Sequence, residues 1–202
     1  MNLPNQLTIL RLILAGVFVL ILSADIPGLT SYEWSIAFII FAVAAFTDFL
    51  DGYLARKHQQ ITNFGKLMDP LADKVLVAAG FIILVEVSAV AAWVVIVILT
   101  REFLVTGIRL VASAQGKVVA ADKLGKQKTI WQLVTLLYLL MAQAVWEPMF
   151  NWMNWLYDWE QFGVSGLHGS QYVGPVLIYI SLILTVWSGI GYAVRNWHLI
   201  RE

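Results

Sequence analysis

Six long apolar segments account for most of this chain, and each is close to the length of a transmembrane helix. A helix needs about 20 mostly apolar residues to cross the hydrocarbon core of a bilayer. The six segments lie near residues 6–24, 33–56, 67–87, 90–113, 128–147 and 173–196. Apolar residues make up 60% of the sequence and charged residues only 13%, whereas globular proteins carry about 25% charged residues. The sequence therefore predicts an all-α membrane protein with six transmembrane helices, and it excludes a soluble globular domain.

The connections between the segments are short, and no internal repeat or low-complexity tract is visible. Residues 1–202 are therefore predicted to form a single integral-membrane domain. The formal net charge of zero argues against a basic nucleic-acid-binding protein. The chain contains no Cys, which excludes disulfides, thiolate metal sites and Cys nucleophiles.

The basic residues all fall on one side of the predicted topology. If the N-terminus is on side one, the 13 Lys and Arg residues lie there or in the nearest half of a span. The opposite side carries acidic residues and no Lys or Arg, and those acids are Asp25, Glu33, Glu86, Glu147, Asp158 and Glu160. Cytoplasmic loops are enriched in Lys and Arg. Both termini are therefore predicted to face the cytoplasm.

The segment between the fifth and sixth predicted spans, residues 147–172, is rich in aromatic residues. The apolar residues that share one helical face there are Trp152, Trp155, Leu156, Trp159 and Phe162. Trp favours the depth of the membrane interface. A short helix in the outer interface and a loop with aromatic anchors are both compatible with this pattern.

Four aspartates are arranged as two pairs on the second and third predicted helices. Asp48 and Asp51 are three residues apart, and Asp69 and Asp73 are four residues apart. Residues at these spacings share one face of a helix. A loop of about eight residues joins the two helices, which are predicted to be antiparallel neighbours. The four carboxylates are therefore predicted to converge near the cytoplasmic end of the membrane.

Carboxylates placed so close together repel one another and are costly to bury, so positive partners are expected. Hard divalent cations prefer oxygen ligands, and two Mg²⁺ or Mn²⁺ ions would balance four Asp side chains. Gly52, Ala55 and Gly65 leave room for a ligand to approach the backbone. Arg56 offers a guanidinium fork that suits phosphate oxygens. Together these residues predict a metal–phosphate site.

The acidic cluster is also compatible with a solvated rim or with a cation transport path. Asp residues at helix ends often form such a rim, although four Asp, two Gly and one Arg within 26 residues disfavour it here. Intramembrane acids can mark a transport path. The outer halves of the first, fifth and sixth predicted spans contain no matching acids, so a divalent-cation transporter is the less favoured alternative.

The cluster has the spacing Asp48-x-x-Asp51-Gly52-x-x-Ala55-Arg56, then eight residues, then Gly65-x-x-x-Asp69-x-x-x-Asp73. This pattern resembles the complete motif of the CDP-alcohol phosphotransferases. The resemblance implies the fold of that family, with six transmembrane helices and short interfacial segments. It also implies a homodimeric, multi-pass enzyme of the bacterial cytoplasmic membrane, with its divalent-metal site at the cytoplasmic interface.

Three further stretches resemble the bacterial branch of this family whose acceptor is glycerol 3-phosphate. They are residues 3–11, 64–74 and 101–132, and the resemblance covers about residues 3–135. It implies transfer of the phosphatidyl group from the membrane lipid CDP-diacylglycerol to sn-glycerol 3-phosphate, with CMP as the second product. The alternative is a member with another acceptor, such as a cardiolipin, phosphatidylserine or phosphatidylinositol-phosphate synthase.

The resemblance also implies roles for the motif residues. Two metal ions would be held by Asp48, Asp51, Asp69 and Asp73, the first three around one ion and the last two around the other. The CDP group would be cradled by Gly52, Ala55, Arg56 and Gly65. Asp73 would also act as the general base that takes the proton of the acceptor hydroxyl. That oxygen would attack the phosphorus bearing diacylglycerol without a covalent enzyme intermediate.

An anionic acceptor needs a cationic pocket beside the metals. Arg101 and Arg109 are eight positions apart, about two helical turns, so they lie roughly on one face of the fourth span. We interpret Arg109 and Lys126 as phosphate-binding residues, whereas acceptor contact and a structural role are both open for Arg101. Thr8 and Arg11 are further candidates that would cap the pocket. We interpret Lys117, Lys123 and Lys128 as part of the ordinary excess of basic residues on the cytoplasmic side of a membrane protein.

Overall fold

The computed structural model describes residues 3–24, 26–58, 63–115, 123–157 and 169–196. Within these ranges the chain forms six α-helices, one short 3₁₀ helix and no strand. The α-helices are α1 (Leu3–Ser23), α2 (Glu33–His58), α3 (Asn63–Glu86), α4 (Ala92–Ala114), α5 (Lys123–Ala144) and α6 (Gly169–Arg195). Within the helices, only the backbone is described at some positions, namely 3, 4, 48–58, 63–67, 69, 70, 114, 123, 155, 156 and 169–171.

The all-α prediction is confirmed for the described residues. Each predicted span corresponds to one helix, with bounds that differ by at most five residues. The predicted loop of eight residues between α2 and α3 is wrong, because those helices leave only the four residues 59–62 between them. Hydropathy marks where the apolar stretch ends, whereas the backbone continues its helical hydrogen bonding into the polar residues beyond.

Two of the described helices have the length and apolar composition to cross a membrane, at Asn5–Ser23 and Tyr172–Arg195. A shorter apolar helix covers Glu33–Thr47. The helices carry large apolar side chains on their outward faces, including Ile13, Phe103 and Trp187. Such an outer surface is consistent with a membrane protein, while the count of six transmembrane helices stays a prediction.

The helices pack around one main apolar core. Helix α1 packs against α2 and α3, α5 packs against α2 and α6, and α4 packs against α6 and α3. Phe18 of α1 and Phe41 of α2 are fully buried, with ring centroids 5.5 Å apart. Gly80 of α3 allows a close approach of its neighbours, because a Cβ there would lie 3.0 Å from atoms of both Leu136 and Phe41. Helix α3 thereby contacts both α4 and α5.

The chain after α5 folds back onto the first turn of α2. Glu147 accepts hydrogen bonds from the backbone N–H of Trp34 at 2.9 Å and of Ser35 at 2.7 Å. The first N–H groups of a helix lack partners within the helix, so Glu147 caps α2 from 113 residues away.

The aromatic segment begins with the 3₁₀ helix Asn151–Leu156. Tyr157 follows it, stacks near Tyr138 with ring centroids 5.0 Å apart, and is buried. Burial raises the pKa of the Tyr157 hydroxyl above its ordinary value. Trp152 is exposed, as an interfacial anchor would be. Two other residues of the predicted apolar face, Trp159 and Phe162, lie outside the described residues.

Candidate active site

A polar cavity of about 210 Å³ lies between α3, α4 and α5, and we refer to it as the α3–α5 cavity. Its charged lining residues, among those whose side chains are described, are Asp73, Lys74, Arg101, Glu102, Arg109, Lys126 and Lys128. Five of these are basic and two are acidic, so the described lining carries a formal charge of +3. Pockets for drug-sized ligands span about 300–1,000 Å³. The cavity therefore suits a small anion better than a large apolar ligand.

The structure brings four of the predicted site residues to this one cavity. Asp73 comes from α3, Arg101 and Arg109 from α4, and Lys126 from the first turn of α5. Arg101 and Arg109 share a helix face, as their spacing predicts. The juxtaposition of Asp73 with three cations places a carboxylate beside a site that can bind a phosphate group.

The other predicted metal and CDP residues lie where α2 ends and α3 begins. Their side chains are outside the described part of the chain, and these positions are Asp48, Asp51, Gly52, Ala55, Arg56, Gly65 and Asp69. Among the described side chains, no group of three or more acidic or His residues is placed to hold a metal ion. The convergence of the four aspartates around two metals therefore stays a prediction.

Thr8 and Arg11 lie on α1, and both side chains are fully buried. The described residues that line the α3–α5 cavity belong to α3, α4 and α5, so neither Thr8 nor Arg11 is part of its wall. Their predicted role in capping the acceptor pocket stays a prediction.

Glu102 links two cations in the wall of the cavity. Its Oε1 accepts a hydrogen bond from Arg101 Nη1 at 3.2 Å and another from Lys128 Nζ. Lys128 is 3% exposed. Interpreting it as ordinary positive-inside charge is therefore wrong, because a rim charge would be solvated. A buried ammonium requires an anionic partner, and Glu102 supplies it.

Arg101 is held from two sides. Besides the bond to Glu102, its Nη2 donates to Ser188 Oγ of α6 at 2.9 Å. Its Nε is buried and has no hydrogen-bond acceptor among the described residues. The two roles left open for Arg101 coexist, since it has structural partners and also lines the cavity.

Arg109 lies at the exposed rim of the cavity and is oriented by Tyr192 of α6. Its Nε donates to the Tyr192 hydroxyl at 3.3 Å, and its guanidinium carbon lies 5.5 Å from the centroid of the Tyr192 ring. Tyr192 is itself buried. A buried aromatic ring therefore steadies a cation that has one side toward solvent.

Sequence reasoning missed the part that Lys128 plays, although a signal was present. Lys128, Gln132 and Thr135 recur at helical spacing along α5, and all three are buried. Gln132 Nε2 donates to Thr185 Oγ1 at 3.1 Å, and Thr135 Oγ1 donates to the Leu177 carbonyl at 3.2 Å. A polar stripe at this period marks a buried face of α5, on which Lys128 pairs with α4 while Gln132 and Thr135 contact α6.

Comparison with known proteins gives concordant matches. The family model described as CDP-alcohol phosphatidyltransferase matches residues 1–187. The chain is 39% identical over 208 residues to the CDP-diacylglycerol–glycerol-3-phosphate 3-phosphatidyltransferase of Bacillus subtilis (strain 168), with 99% of this chain and 97% of the relative covered. Proteins of the same name from Rickettsia typhi and Shigella flexneri serotype 5b are 32% and 34% identical. Both matches cover 95% of this chain, and they cover 94% and 92% of the relatives.

Proposed function

Because the chain belongs to the CDP-alcohol phosphatidyltransferase family, we propose that it transfers the phosphatidyl group of CDP-diacylglycerol to sn-glycerol 3-phosphate. The products are phosphatidylglycerophosphate and CMP, and the process is phospholipid biosynthesis. The names of relatives that match nearly the whole chain support both substrates. The observation that most directly supports this choice of acceptor is the α3–α5 cavity, where Asp73 lies with several cations.

The α3–α5 cavity supports an acceptor that carries a phosphate group. A phosphate monoester is close to a dianion at neutral pH, and charge-assisted hydrogen bonds from Arg and Lys are its strongest protein contacts. Arg101, Arg109 and Lys126 supply such donors, and the +3 formal charge of the described lining residues offsets the charge of the acceptor. An acceptor without a phosphate, such as free serine, would not bring the dianion that these donors suit.

In the proposed reaction the C1 hydroxyl of glycerol 3-phosphate loses its proton to the carboxylate of Asp73. The acceptor oxygen forms a bond to the phosphorus that bears diacylglycerol, and the bond from that phosphorus to the CMP oxygen breaks. The proton stays on Asp73 until solvent removes it. Asp73 is partly exposed in the cavity wall, so solvent can carry the proton away.

Two divalent cations, Mg²⁺ or Mn²⁺, would be held by Asp48, Asp51, Asp69 and Asp73. The all-oxygen donor set fits such ions, and Asp73, the proposed ligand whose side chain is described, borders the cavity. When bound, the cations would neutralise the diphosphate of the CDP-lipid and the charge that develops in its transfer. The CDP group itself would lie against Gly52, Ala55, Arg56 and Gly65.

The proposed setting is the bacterial cytoplasmic membrane, which the six helices cross with the α3–α5 cavity and both termini toward the cytoplasm. The one-sided distribution of Lys and Arg supports this orientation. The apolar outward faces of the helices support contact with lipid. We also propose a homodimer, as in other members of the family.

The proposed function is tested with purified protein in liposomes that contain CDP-diacylglycerol and with Mg²⁺ in the buffer. CMP release is expected only when sn-glycerol 3-phosphate is added, and EDTA should stop it. Serine and inositol phosphate serve as alternative acceptors in matched reactions. Equal CMP release with either of them would overturn the acceptor assignment. If no acceptor supports CMP release, the proposed transferase activity is overturned.

A further inference from the structure

Arg101 reaches from α4 to α6, and two consecutive residues of α6 determine where its side chain can lie. Ser188 and Gly189 are both buried. Both lie on α6, far along the chain from the acidic motif at residues 48–73.

Gly189 provides the space that the stem of Arg101 occupies. A Cβ at residue 189 would lie 2.6 Å from Arg101 Cγ, 3.6 Å from Nε and 3.7 Å from Cδ. Carbon atoms do not approach this closely without a rearrangement, and Cγ is too near the backbone to swing away as a side-chain tip would. Any residue larger than Gly at this position must therefore displace Arg101.

Ser188 fixes the other end of the Arg101 side chain. Its hydroxyl donates to the carbonyl of Thr185 at 3.1 Å, which leaves the oxygen lone pairs for the guanidinium. Arg101 Nη2 donates to that oxygen at 2.9 Å, while Nη1 is committed to Glu102. The guanidinium is thus anchored on α6 and on α4 before any ligand enters.

The stem of Arg101 also separates two spaces. On one side lies the polar α3–α5 cavity, and on the other lies an apolar groove of about 310 Å³ between α4 and α6 that includes Gly189. A displaced stem would change the polar wall of the cavity. The position of Arg101 is therefore set by α6, which contributes no described residue to the cavity lining.

We propose that Ser188 and Gly189 are positioning residues that fix Arg101 for binding the phosphate group of the acceptor. The inference rests on the proposed function, in which the α3–α5 cavity binds sn-glycerol 3-phosphate. Neither residue touches the acceptor, and both act through Arg101. A preorganised cation binds its ligand more tightly because its conformational entropy is already lost.

The test compares Gly189→Ala with Gly191→Ala, the matched control two residues further along α6. A Cβ at residue 191 would meet nothing closer than 3.8 Å, at Arg195 Nη2. Gly189→Ala is expected to raise the KM for glycerol 3-phosphate about tenfold, which corresponds to the loss of one charge-assisted hydrogen bond. The KM for CDP-diacylglycerol should stay within about twofold of wild type, as should both KM values of Gly191→Ala.

A double-mutant cycle with Arg101→Ala separates positioning from a general structural role. In the Arg101→Ala background there is no Cγ to displace, so adding Gly189→Ala should change the KM for glycerol 3-phosphate by less than about twofold. The same tenfold change in both backgrounds would overturn the proposal. If Gly189→Ala does not fold, Ser188→Ala carries the test, with an expected KM increase of about threefold that also vanishes without Arg101.

Binding of glycerol 3-phosphate, measured by thermal shift without CDP-diacylglycerol, distinguishes failure of this inference from failure of the proposed function. In one outcome, the wild-type protein binds glycerol 3-phosphate more tightly than Gly189→Ala does, yet it releases no CMP. That result would overturn the proposed function and support the inference. Equal binding by the two proteins, including no binding by either, would overturn the inference.

Discussion

Two carboxylates at opposite ends of α5 are used in different ways. Two of the cavity lysines, Lys126 and Lys128, lie in the first turns of α5. Glu147 follows the last turn of this helix of 22 residues, about 30 Å away. Glu147 accepts hydrogen bonds from two backbone N–H groups of α2. Glu102, beside the α3–α5 cavity, accepts instead from the side chains of Arg101 and Lys128.

The difference separates a folding contact from a binding site. The donors that Glu147 satisfies are part of the α2 backbone, so its two hydrogen bonds complete a helix and leave no donor for a ligand. The donors that Glu102 holds belong to cations whose remaining N–H groups border a cavity. Loss of Glu147 should therefore affect stability alone, whereas loss of Glu102 should affect stability and acceptor binding together.

The largest expected effect at the cavity end is that of Asp73→Asn. The amide cannot take the proton of the acceptor hydroxyl, and loss of a general base costs about 10²–10⁴-fold in rate. CMP release should fall by that factor or more. CDP-diacylglycerol binding, measured by thermal shift with Mg²⁺, should fall far less, because Asp48, Asp51 and Asp69 would still hold the other proposed cation. Turnover equal to that of wild type would remove Asp73 from the chemistry.

Glu102→Gln should combine a large loss of stability with weaker acceptor binding. The substitution leaves the buried Lys128 ammonium without its anion, and breaking a buried ion pair costs about 3–5 kcal/mol. Thermal unfolding in detergent measures the loss, and the KM for glycerol 3-phosphate should rise in the fraction that stays folded.

The double variant Glu102→Gln with Lys128→Met is the matched control, because it removes both charges and keeps similar volume. It should recover most of the stability that Glu102→Gln loses but not the KM for glycerol 3-phosphate. A double variant no more stable than Glu102→Gln would contradict the assignment of Glu102 as the essential partner of Lys128.

Glu147→Ala should lower stability by about 1–3 kcal/mol, because two N–H groups of α2 lose their acceptor. Turnover and both KM values should stay within about twofold of wild type below the unfolding temperature, since the site at the other end of α5 is intact. Glu86→Gln is the control, because Glu86 is an exposed carboxylate at the last residue of α3. A rise in the acceptor KM of Glu147→Ala would show that the two ends are coupled.

Much of the fold could be predicted because its signals are local. A run of about 20 apolar residues is visible in any window of that length, and the six runs correspond to α1 through α6. The acidic motif is equally local, since it fits within residues 48–73, and the family that its spacing resembles is the one whose model matches the chain. Helix ends were less predictable, because α5 begins five residues before the apolar stretch.

The environment of the cavity residues could not be predicted, because it depends on contacts between distant parts of the chain. Glu102 and Lys128 are 26 residues apart, and Arg101 and Ser188 are 87 residues apart. Periodicity places each residue on a face of its own helix, but it does not say which helix that face will meet. The fit of Gly189 to the Arg101 stem is likewise a property of the packed α4–α6 pair.

The smallest expected effect concerns Tyr192, which steadies Arg109 at the rim of the α3–α5 cavity. Tyr192→Phe removes the 3.3 Å hydrogen bond from Arg109 Nε and keeps the ring 5.5 Å from the guanidinium. The KM for glycerol 3-phosphate should rise only about two- to threefold, because Arg109 is exposed and water replaces the lost acceptor. Tyr192→Leu removes the ring as well and should have the larger effect. If Tyr192→Phe instead raised the KM as much as Gly189→Ala, the exposed Arg109 would depend on its support as strongly as the more deeply placed Arg101, and the contrast between these two cations would fail.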